Sequence, residues 1–561
     1  MSLVFAPATV GVFFMPSFNV GDVNYVIIVS RMGKITKYLN QLIVGSVFDD
    51  PEILEVYSTD RSALKVKPKF VAFPESTEDI RKLMRFFNQI SAKEIPVSVT
   101  ARGSGLDEGG AVLSSGGLII STEKLNRMLE IDPRERLVRV QSGITLKELN
   151  TALSVSGLTI PISGHSNDTV GGLISNAPVD DSAGKYGGIF NFIERIEVVL
   201  ANGECLQTDR LKKYHVAKKA TEKSLEGDIY RKMAKLLKTK AELIEDMSKN
   251  PPRDRGGYPM ITKVRRKDTM DLMPLFFGAQ GTLGIISEVI LRAVPLRKRP
   301  TRVVATFKEL DTALEFAYAL KPLKPCKINL YDLKIIQEAR ESGKNLDGVI
   351  RKLEDGFVVL ASFDERVNNC IKKITNMQKD FPRTTKFIFE NENNRITLNE
   401  FENALGVYLS SAKGGERVPI LTDFYLPARN IGSFLKDLKV LEQKLGLDLA
   451  LYGSYATSIY SLRPKFNLKD KDFNKKAATF LRAGAYIIDR QDGKLAGGMP
   501  EGRLKAVVTN AEMKDAEHDL YTKIKEIFDQ NGVLNPDVKL GASSKFTLTH
   551  FRDSSLPKIM L

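Results

Sequence analysis

The sequence predicts an α+β fold organised in two large domains, and three observations support this prediction. Residues 67–295 alternate strand patterns with helix patterns, and residues 299–540 contain a second set of strands and amphipathic helices. The chain has 561 residues, of which 43% are hydrophobic. This is enough to bury a core in each of two or three domains of roughly 150 residues.

We divide the chain where this pattern changes. An N-terminal extension and helix at residues 1–50 precede a first domain at residues 51–298, and a second domain occupies residues 299–540. The remaining residues, 541–561, are rich in Ser and Lys, and we expect this tail to be poorly ordered.

Capping and turn residues mark the elements of the first domain. Ser76 followed by Asp79, and Thr145 followed by Glu148, are typical of capping boxes at helix starts. Gly157 stands where the second of these helices needs a left-handed residue to end. Further strands are indicated at residues 96–101, 117–121, 137–141, 196–201, 204–208 and 281–295, with Asn202-Gly203 as a tight hairpin turn and a charged helical region at 212–252.

In the second domain, alternating apolar residues indicate strands and amphipathic patterns indicate helices. The predicted strands are residues 302–307, 356–363 and 418–426, and the predicted helices are residues 430–446 and 514–531.

Composition restricts the partners and the compartment. Lys and Arg number 83 against 68 Asp and Glu, a formal charge of +15, which favours acidic substrates, phosphates or anionic lipid. We recognise no nucleic-acid module and expect no nucleic-acid partner. Cys205, Cys326 and Cys370 are dispersed, which argues against disulfides and iron–sulfur clusters. No apolar run spans a bilayer, so we expect a cytoplasmic protein, with or without peripheral contact at the cytoplasmic membrane face.

Two glycine-rich segments are candidates for a binding site. Residues 102–110 (RGSGLDEGG) follow a strand pattern, and residues 169–176 read TVGGLISN. Glycine lets a backbone approach a diphosphate closely, and free N–H groups form anion-binding nests. Neither segment has the G-x-G-x-x-G spacing of a dinucleotide-binding Rossmann unit, and each by itself is also compatible with an ordinary turn.

A series of segments, in order along the chain, resembles the FAD-linked oxidase family, whose FAD-binding domain is of the vanillyl-alcohol oxidase or PCMH type. The segments are residues 57–62 (YSTDRS), 74–80 (PESTEDI), 96–105, 140–146 (VQSGITL), 161–176, 183–187 (AGKYG), 196–203 (IEVVLANG), 278–288 (GAQGTLGIISE) and 528–536 (FDQNGVLNP). The resemblance is to subunits of the D-lactate and glycolate dehydrogenase type. It implies a PCMH-type FAD-binding domain of two subdomains, followed by an α+β substrate or cap domain with an antiparallel sheet.

The resemblance also implies which residues bind FAD. The diphosphate would lie at residues 102–105 and 169–176, and the ribityl chain and flavin ring near Gly184, Tyr186 and residues 282–286. The expected FAD-binding residues are Arg102, Gly103, Ser104, Gly105, Gly109, Gly110, Pro161, Ser166, Asp168, Thr169, Gly171, Gly172, Ser175, Asn176, Gly184, Tyr186, Gly187, Gly281, Thr282, Gly284 and Ile285. Asp107 and Glu108 carry negative charge beside this diphosphate, so we expect them to point away or to be offset.

The attachment of the flavin is expected to be non-covalent. Family members that link flavin covalently usually offer a histidine in the first loop, where this chain has Leu106. His165 is the histidine nearest these loops, and we interpret it as a loop residue.

The catalytic segments depart from the family pattern. Members that oxidise D-2-hydroxy acids usually carry G-H-x-G-D-G-N-x-H and later S-G-E-H-G, whose His and Glu residues bind a metal or act as a base. Here Ser454 and Ser461 replace the two histidines, and Gly498 and Met499 replace the later Glu-His pair. Serine and methionine do not make a hard-cation site with imidazole, so we predict no metal.

The remaining catalytic candidates have the right chemistry in the same region. Tyr455 and Tyr460 would polarise a hydroxyl, Arg463 would clamp a carboxylate, and Glu501 would act as a base.

Three functional hypotheses follow. The first is FAD-dependent oxidation of a CH–OH group, that of a D-2-hydroxy acid such as lactate or glycolate, by hydride transfer to flavin N5. Its electron acceptor would be a quinone, oxygen or a separate redox protein. The second is a flavin oxidase or dehydrogenase for a sugar or another alcohol, and the third is a catalytically degenerate FAD-binding subunit.

Overall fold

The computed structural model describes residues 13–16, 25–28, 33–93, 96–249, 253–296, 299–341, 356–381, 384–407 and 416–553. The α+β prediction is confirmed, because helices pack on sheets in which antiparallel pairs predominate. In the described residues, three sheets of four, five and eight strands form the framework.

The first sheet contains the parallel strand pairs that occur in the described part of the chain. Its order is β3-β4-β6-β5, with β4, β6 and β5 parallel and β3 antiparallel to β4. Alternate residues of β4 and β6 face α1 and α3 on one side and α2 on the other. The elements are β1 (Phe13–Pro16), β2 (Tyr25–Ile28), α1 (Gly33–Leu42), β3 (Ser46–Phe48), α2 (Pro51–Val56), β4 (Phe70–Phe73), α3 (Thr77–Ser91), β5 (Val99–Arg102) and β6 (Leu118–Ser121).

The second sheet is antiparallel, with the order β11-β10-β15-β8-β7. Together with the surrounding helices, it forms the second half of the first domain. The elements are β7 (Met128–Asp132), β8 (Leu137–Gln141), α4 (Leu146–Val155), β9 (Leu158–Thr159), α5 (Val170–Asn176), α6 (Ala183–Tyr186), β10 (Ile193–Val199), β11 (Cys205–Gln207), β12 (Leu211–Lys212), α7 (Lys213–Lys219), α8 (Leu225–Thr239), α9 (Ala241–Lys249), β13 (Arg265–Arg266), β14 (Thr269–Met270), β15 (Ile285–Arg292) and β16 (Val294–Pro295).

The third sheet forms the second domain, which we call the cap domain. Its order is β20-β17-β19-β18-β23-β24-β21, with β22 also paired to β24, and every pair is antiparallel. The elements are β17 (Thr301–Phe307), α10 (Leu310–Leu320), β18 (Lys327–Asp332), α11 (Leu333–Glu341), β19 (Phe357–Phe363), α12 (Val367–Met377), β20 (Thr384–Phe389), α13 (Arg395–Val407), β21 (Glu416–Arg417), β22 (Leu421–Tyr425), α14 (Ile431–Leu445), β23 (Asp448–Ser454), β24 (Ile459–Phe466) and α15 (Phe473–Arg490).

The chain then returns to the first domain. Helices α16 (Gly502–Glu512), α17 (Asp515–Phe528) and α18 (Ser544–Thr549) follow the cap. Residues of α17 enter the core of the second subdomain, and Leu534 pairs with Val99 beside the first sheet. The expectation of a poorly ordered tail is wrong for residues 541–553, because α18 forms there and the buried Arg552 bonds Glu416 of β21.

The two predicted capping boxes differ in the structure. Thr145 and Glu148 exchange both hydrogen bonds of the box, as expected. Ser76 accepts the Asp79 N–H at 3.2 Å, but the Asp79 carboxylate bonds other groups. It accepts the N–H groups of Val44 at 2.9 Å, Gly45 at 3.0 Å and Glu75 at 3.0 Å, and so joins α1 to the start of α3.

The predicted Asn202-Gly203 turn is wider than a two-residue turn. Only Gly203, at φ +81°, has a positive φ, and Asn202 instead accepts the Glu204 N–H through its side chain. The carbonyl of Gly203 accepts a hydrogen bond from Arg81 on α3 at 3.0 Å. Packing against this helix therefore selects the turn geometry over the local preference.

We expect Asp79→Ala to destabilise the first domain by roughly 3 kcal/mol, because three N–H groups lose a charged acceptor. Thermal denaturation followed by circular dichroism measures this as a lower midpoint. Glu78→Ala is the matched control, since the neighbouring side chain is 46% exposed and forms a surface pair with Arg81. Equal midpoints for the two variants would contradict the bridging role of Asp79.

Candidate functional site

The two glycine-rich segments meet across a cleft. A Cβ atom on Gly103 would lie 2.2 Å from Oγ1 of Thr169, so the absence of a side chain lets the loops touch. A cavity of about 280 Å³ runs between these loops and the cap domain. A narrower cavity of about 50 Å³ continues between the two subdomains and shares Gly103 and Gly172 with it.

The first loop presents free donors to the larger cavity. Within the described chain, no N–H group from Ser104 to Glu108 donates to a protein acceptor. Gly105 has φ +75°, and the Arg102 guanidinium lies beneath it, 2.3 Å from where a Cβ would be. A run of unused N–H groups around a left-handed residue is typical of an anion-binding nest.

The narrower cavity contains polar side-chain atoms without partners. Arg102 donates from Nη1 to the Thr59 carbonyl at 2.9 Å, but its buried Nε has no acceptor among the described residues. The buried Oγ of Ser142 likewise has none. Both residues line the cavity. Orphaned buried donors indicate a polar ligand, and the acceptor oxygens of a diphosphate would satisfy them.

The second loop contributes close approach and not free donors. The N–H of Gly171 bonds the Ser142 carbonyl at 2.7 Å, and the N–H of Gly172 bonds Thr169 Oγ1 at 3.2 Å. Asp168 accepts the His165 N–H at 2.7 Å, and burial raises the pKa of its carboxyl to about 6. His165 also lines the cavity, and its Nδ1 accepts the Asn167 N–H at 3.2 Å.

The structure brings eleven of the expected FAD-binding residues together. Those that line one or both cavities are Arg102, Gly103, Ser104, Gly105, Asp168, Thr169, Gly171, Gly172, Ser175, Asn176 and Gly281. Those that line neither are Gly109, Gly110, Pro161, Ser166, Gly184, Tyr186, Gly187, Thr282, Gly284 and Ile285.

The residues outside the lining have other contacts. Tyr186 donates to Asp364 of the cap, which also pairs with Lys185. Thr282 bonds Tyr258 at 2.8 Å, and Ile285 lies in the core of the first sheet. These residues shape the walls of the cleft and its contact with the cap, and their roles toward FAD stay predictions.

The two acidic residues of the first loop are offset, as expected. Asp107 turns back into its own loop, where it accepts N–H groups of Gly109 at 3.0 Å and Ala111 at 2.7 Å. Glu108 receives the Arg463 guanidinium, whose Nη2 lies 2.6 Å from each carboxylate oxygen. Burial opposes the ionisation of Glu108, but the charges of Arg463 and its neighbours outweigh burial and hold its pKa below the ordinary value.

Arg463 therefore has a partner within the protein. Its guanidinium is buried, and it also donates to Tyr452 Oη at 2.7 Å. Tyr452 and Glu108 line the larger cavity, whereas Arg463 supports them from behind. The sequence did not single out Tyr452, because a tyrosine on an alternating strand is indistinguishable from a core residue.

Asp423 is the titratable group at the cap side of the cavity. Its backbone has φ +51°, its N–H donates to Ser461 Oγ at 2.9 Å, and its carbonyl accepts the Gly498 N–H at 2.6 Å. The two segments that lack the family's histidines thus converge on Asp423. Burial and the charge of Glu108 raise its pKa to about 6, against the opposing charges of Lys505 and Arg463. Asp423 has no signature in the sequence, since only the fold brings β22 between these segments.

The other three catalytic candidates lie away from the cavity lining. Tyr460 is buried in the cap core, where its hydroxyl has no partner among the described residues. Tyr455 packs beneath Lys321, with 4.8 Å from Nζ to the ring centre. Glu501 is fully buried, paired with Lys539 at 2.6 Å and accepting the Gly257 N–H at 2.7 Å. Catalytic roles for these three stay predictions that their positions do not favour.

The described residues offer neither a metal-binding cluster nor a membrane-spanning helix. They contain no group of three or more His, Cys, Asp and Glu side chains placed to hold a metal ion. No helix in the same residues is both long and apolar enough to cross a membrane.

Relatives in sequence are named as dehydrogenases of D-2-hydroxyglutarate and D-lactate. The chain is 25% identical over 512 residues to D-2-hydroxyglutarate dehydrogenase of Pseudomonas putida, covering 88% of this chain and 50% of that protein. It spans about half the length of such relatives. It is also 23% identical to D-lactate dehydrogenase of Anaerostipes hadrus, covering 86% of this chain and 92% of the relative.

Solved structures show the same fold at low identity. 4-Ethylphenol oxidase from Gulosibacter chungangensis superposes with a TM-score of 0.66 at 15% identity, covering 92% of this chain and 98% of the oxidase. p-Cresol methylhydroxylase superposes with a TM-score of 0.62 at 14% identity, covering 90% and 96% of the two chains. The first domain therefore has the PCMH-type architecture.

Family models match both domains. The FAD binding domain model matches residues 68–209, and the model of the C-terminal domain of FAD linked oxidases matches residues 297–538. The first match covers the two glycine loops, and the second covers the cap sheet with Asp423 and Tyr452. With both models in order along one chain and a PCMH-type fold, this protein belongs to the FAD-linked oxidase family.

Proposed function

We propose that this protein is an FAD-dependent oxidoreductase that oxidises the CH–OH group of a small D-2-hydroxy acid, such as lactate or glycolate. The observation that carries the proposal is the position of Asp423, a carboxylate with a raised pKa that faces the cavity between the FAD loops and the cap. Relatives named as dehydrogenases of D-lactate and D-2-hydroxyglutarate support the substrate class.

In the proposed reaction, one set of residues binds FAD and another residue removes the proton of the substrate hydroxyl. Bound FAD supplies the acceptor for the hydride that leaves the substrate carbon. Asp423 takes the hydroxyl proton, because its carboxylate has no hydrogen-bond partner among the described residues and it titrates near neutral pH. Ser461 and Gly498 hold its backbone, so the carboxylate is positioned before substrate binds.

Arg61 lines the cavity among six carboxylates, and an acidic substrate would bind beside this arginine. The charges of Arg463 and Lys505 act from behind the cavity.

A non-acidic alcohol is the second candidate substrate, and one observation favours it. The Arg463 fork, expected to clamp a carboxylate, is already engaged by Glu108 at 2.6 Å. A sugar or another neutral alcohol has no carboxylate and would need no guanidinium group to bind one. In either case the electron acceptor that we propose is a quinone, oxygen or a separate redox protein. We also propose a cytoplasmic location, with contact at the membrane face if the acceptor is a quinone.

Non-covalent attachment of FAD is part of the proposal. Leu106 offers no nucleophile in the first loop, and the Nδ1 atom of His165 is engaged by Asn167. Precipitation of the purified protein with acid should release all yellow colour to the supernatant. Flavin that remains in the pellet would contradict non-covalent binding.

We expect Gly103→Ala to lose most bound FAD. A methyl group at this position collides with Thr169 Oγ1 and forces the two loops apart. Visible flavin absorbance per chain after desalting measures the loss. Gly432→Ala is the control, since its Cβ would lie 3.7 Å from the nearest atom, on Asp311, in the cap. Full flavin content in Gly103→Ala would contradict this placement of the cofactor.

Anaerobic D-lactate or glycolate should bleach the flavin absorbance and, with an artificial electron acceptor, sustain turnover. L-Lactate is the stereochemical control, and sorbitol tests the neutral alcohol. Bleaching by sorbitol alone would select the second candidate. No bleaching by any compound, with flavin fully bound, would reject both and leave a degenerate FAD-binding subunit.

We expect Asp423→Asn to lower kcat by roughly 10²–10⁴-fold while FAD stays bound, because an amide accepts no proton. In the unsubstituted protein, kcat should rise as the pH rises through about 6, since the base acts when deprotonated. Steady-state rates across pH measure both effects. Asp515→Asn, an exposed carboxylate on α17, is the control. An Asp423→Asn enzyme with unchanged rate and pH profile would exclude Asp423 as the base.

A further inference from the structure

A third cavity, which we call the seam chamber, lies between the first domain and the cap, beside the cleft between the glycine loops and the cap. Its volume is about 350 Å³, larger than that of the cleft. Val179 lines both cavities. On the cap side, Tyr425 and Gly497 of the chamber lie two residues from Asp423 and Met499 of the cleft. The oxidation proposed above uses none of the residues that line this chamber.

Three cations line the seam chamber against one carboxylate. The cations are Arg253, Arg255 and Lys263, and the carboxylate is Asp254. Asp254 uses one oxygen to accept the Gly256 N–H at 2.8 Å. Within the described residues, none of the three cations forms an ion pair. An excess of two positive charges in a partly enclosed space favours an anion.

The two arginines are held in place by neutral groups. Arg253 donates to the Tyr425 hydroxyl, and its guanidinium lies 4.7 Å from the centre of that ring. Arg255 donates through Nη1 to the Ala177 carbonyl, and its N–H bonds the Ala496 carbonyl at 2.9 Å. Burial lowers the pKa of Arg255 to about 10. The nearby Glu501 is already paired with Lys539, a second cation close to Arg255.

The remaining lining suits a ligand with an apolar body. Val179, Met260, Phe277 and Ile459 form the apolar wall of the chamber. Thr457 also lines it, and its buried Oγ1 has no hydrogen-bond partner among the described residues. A buried hydroxyl without a partner beside two guanidinium groups indicates a polar group on the ligand.

We propose that the seam chamber is a second binding site, for a small carboxylate with an apolar body. The planar guanidinium forks of Arg253 and Arg255 match the two oxygens of a carboxylate. The Thr457 hydroxyl supplies a further hydrogen bond, and the apolar wall packs the body of the ligand. The site goes beyond the proposed oxidation, because it lies outside the cleft in which Asp423 faces the flavin loops.

Calorimetric titration of the full-length, FAD-saturated protein with benzoate tests this site. We expect saturable binding of one benzoate per chain, and roughly tenfold or more weaker binding for Arg255→Gln. Benzamide, the neutral isostere, should not bind. Inorganic phosphate should bind more weakly than benzoate, and phosphate binding as tight as that of benzoate would overturn the carboxylate assignment.

Two further variants keep the test decisive. If Arg255→Gln does not fold, Arg253→Gln removes the second fork and should weaken benzoate binding likewise. Lys235→Gln, in a separate surface groove next to α17, should bind benzoate normally. The proposal is overturned if no saturable binding occurs, if both arginine variants bind as the unsubstituted protein does, or if only Arg463→Gln abolishes binding, which would place benzoate in the flavin cleft. Since binding heat needs no turnover, these outcomes are independent of the proposed oxidation.

Discussion

The site depends on one buried polar network that holds the first glycine loop in place. Asn535, at φ +41°, donates to the carbonyls of Ala111 at 2.8 Å and Gln280 at 2.7 Å, and it accepts the Thr100 hydroxyl. Arg503 donates to the Leu113 carbonyl and to Asn535. Asn535 and Arg503, which both follow the cap domain in the chain, thus hold together strand β5, the residues after the first glycine loop and the 278–288 segment. Because every group in this network is buried, loosening one leaves the others unsatisfied, and the free N–H groups of residues 104–108 stay fixed in space.

The cap completes the cleft through a small number of polar contacts across the domain boundary. Arg463 of β24 pairs with Glu108 of the first loop, and Asp364 after β19 bonds Lys185 and Tyr186 of α6. These contacts place Asp423 of β22 and Tyr452 of β23 over the two glycine loops. The same boundary creates the seam chamber, so the relative position of the two domains determines two cavities of opposite character. Six carboxylates line the cleft, whereas two arginines and a lysine line the chamber with one carboxylate.

Sequence patterns predicted the regular elements well wherever local signals dominate. The strand at 137–141 coincides with β8, and the helix at 430–446 coincides with α14 within one residue at each end. The patterns failed where tertiary contacts compete with local preference. The Asp79 carboxylate bonds the backbone that follows α1 and does not complete a capping box. The Asn202-Gly203 turn is wider than predicted because it packs against α3. The tail is folded up to residue 553, where the buried Arg552 bonds Glu416. Strands β23 and β24 were not predicted, because their polar residues interrupt the apolar alternation that is typical of a strand.

The family and the expectation of FAD could be read from the sequence, because a diphosphate cradle needs glycines and free N–H groups that are contiguous in the chain. The loops at 102–105 and 169–176, and the loss of the family's histidines at Ser454 and Ser461, are readable without a fold. The position of Asp423, which we propose as the base, and the partner of Arg463 became visible only in the fold. Asp423, Ser461 and Gly498 come from three separate segments, and a raised pKa depends on burial and on the charge of Glu108, which is more than three hundred residues away along the chain. Proximity of this kind has no signature in local residue patterns.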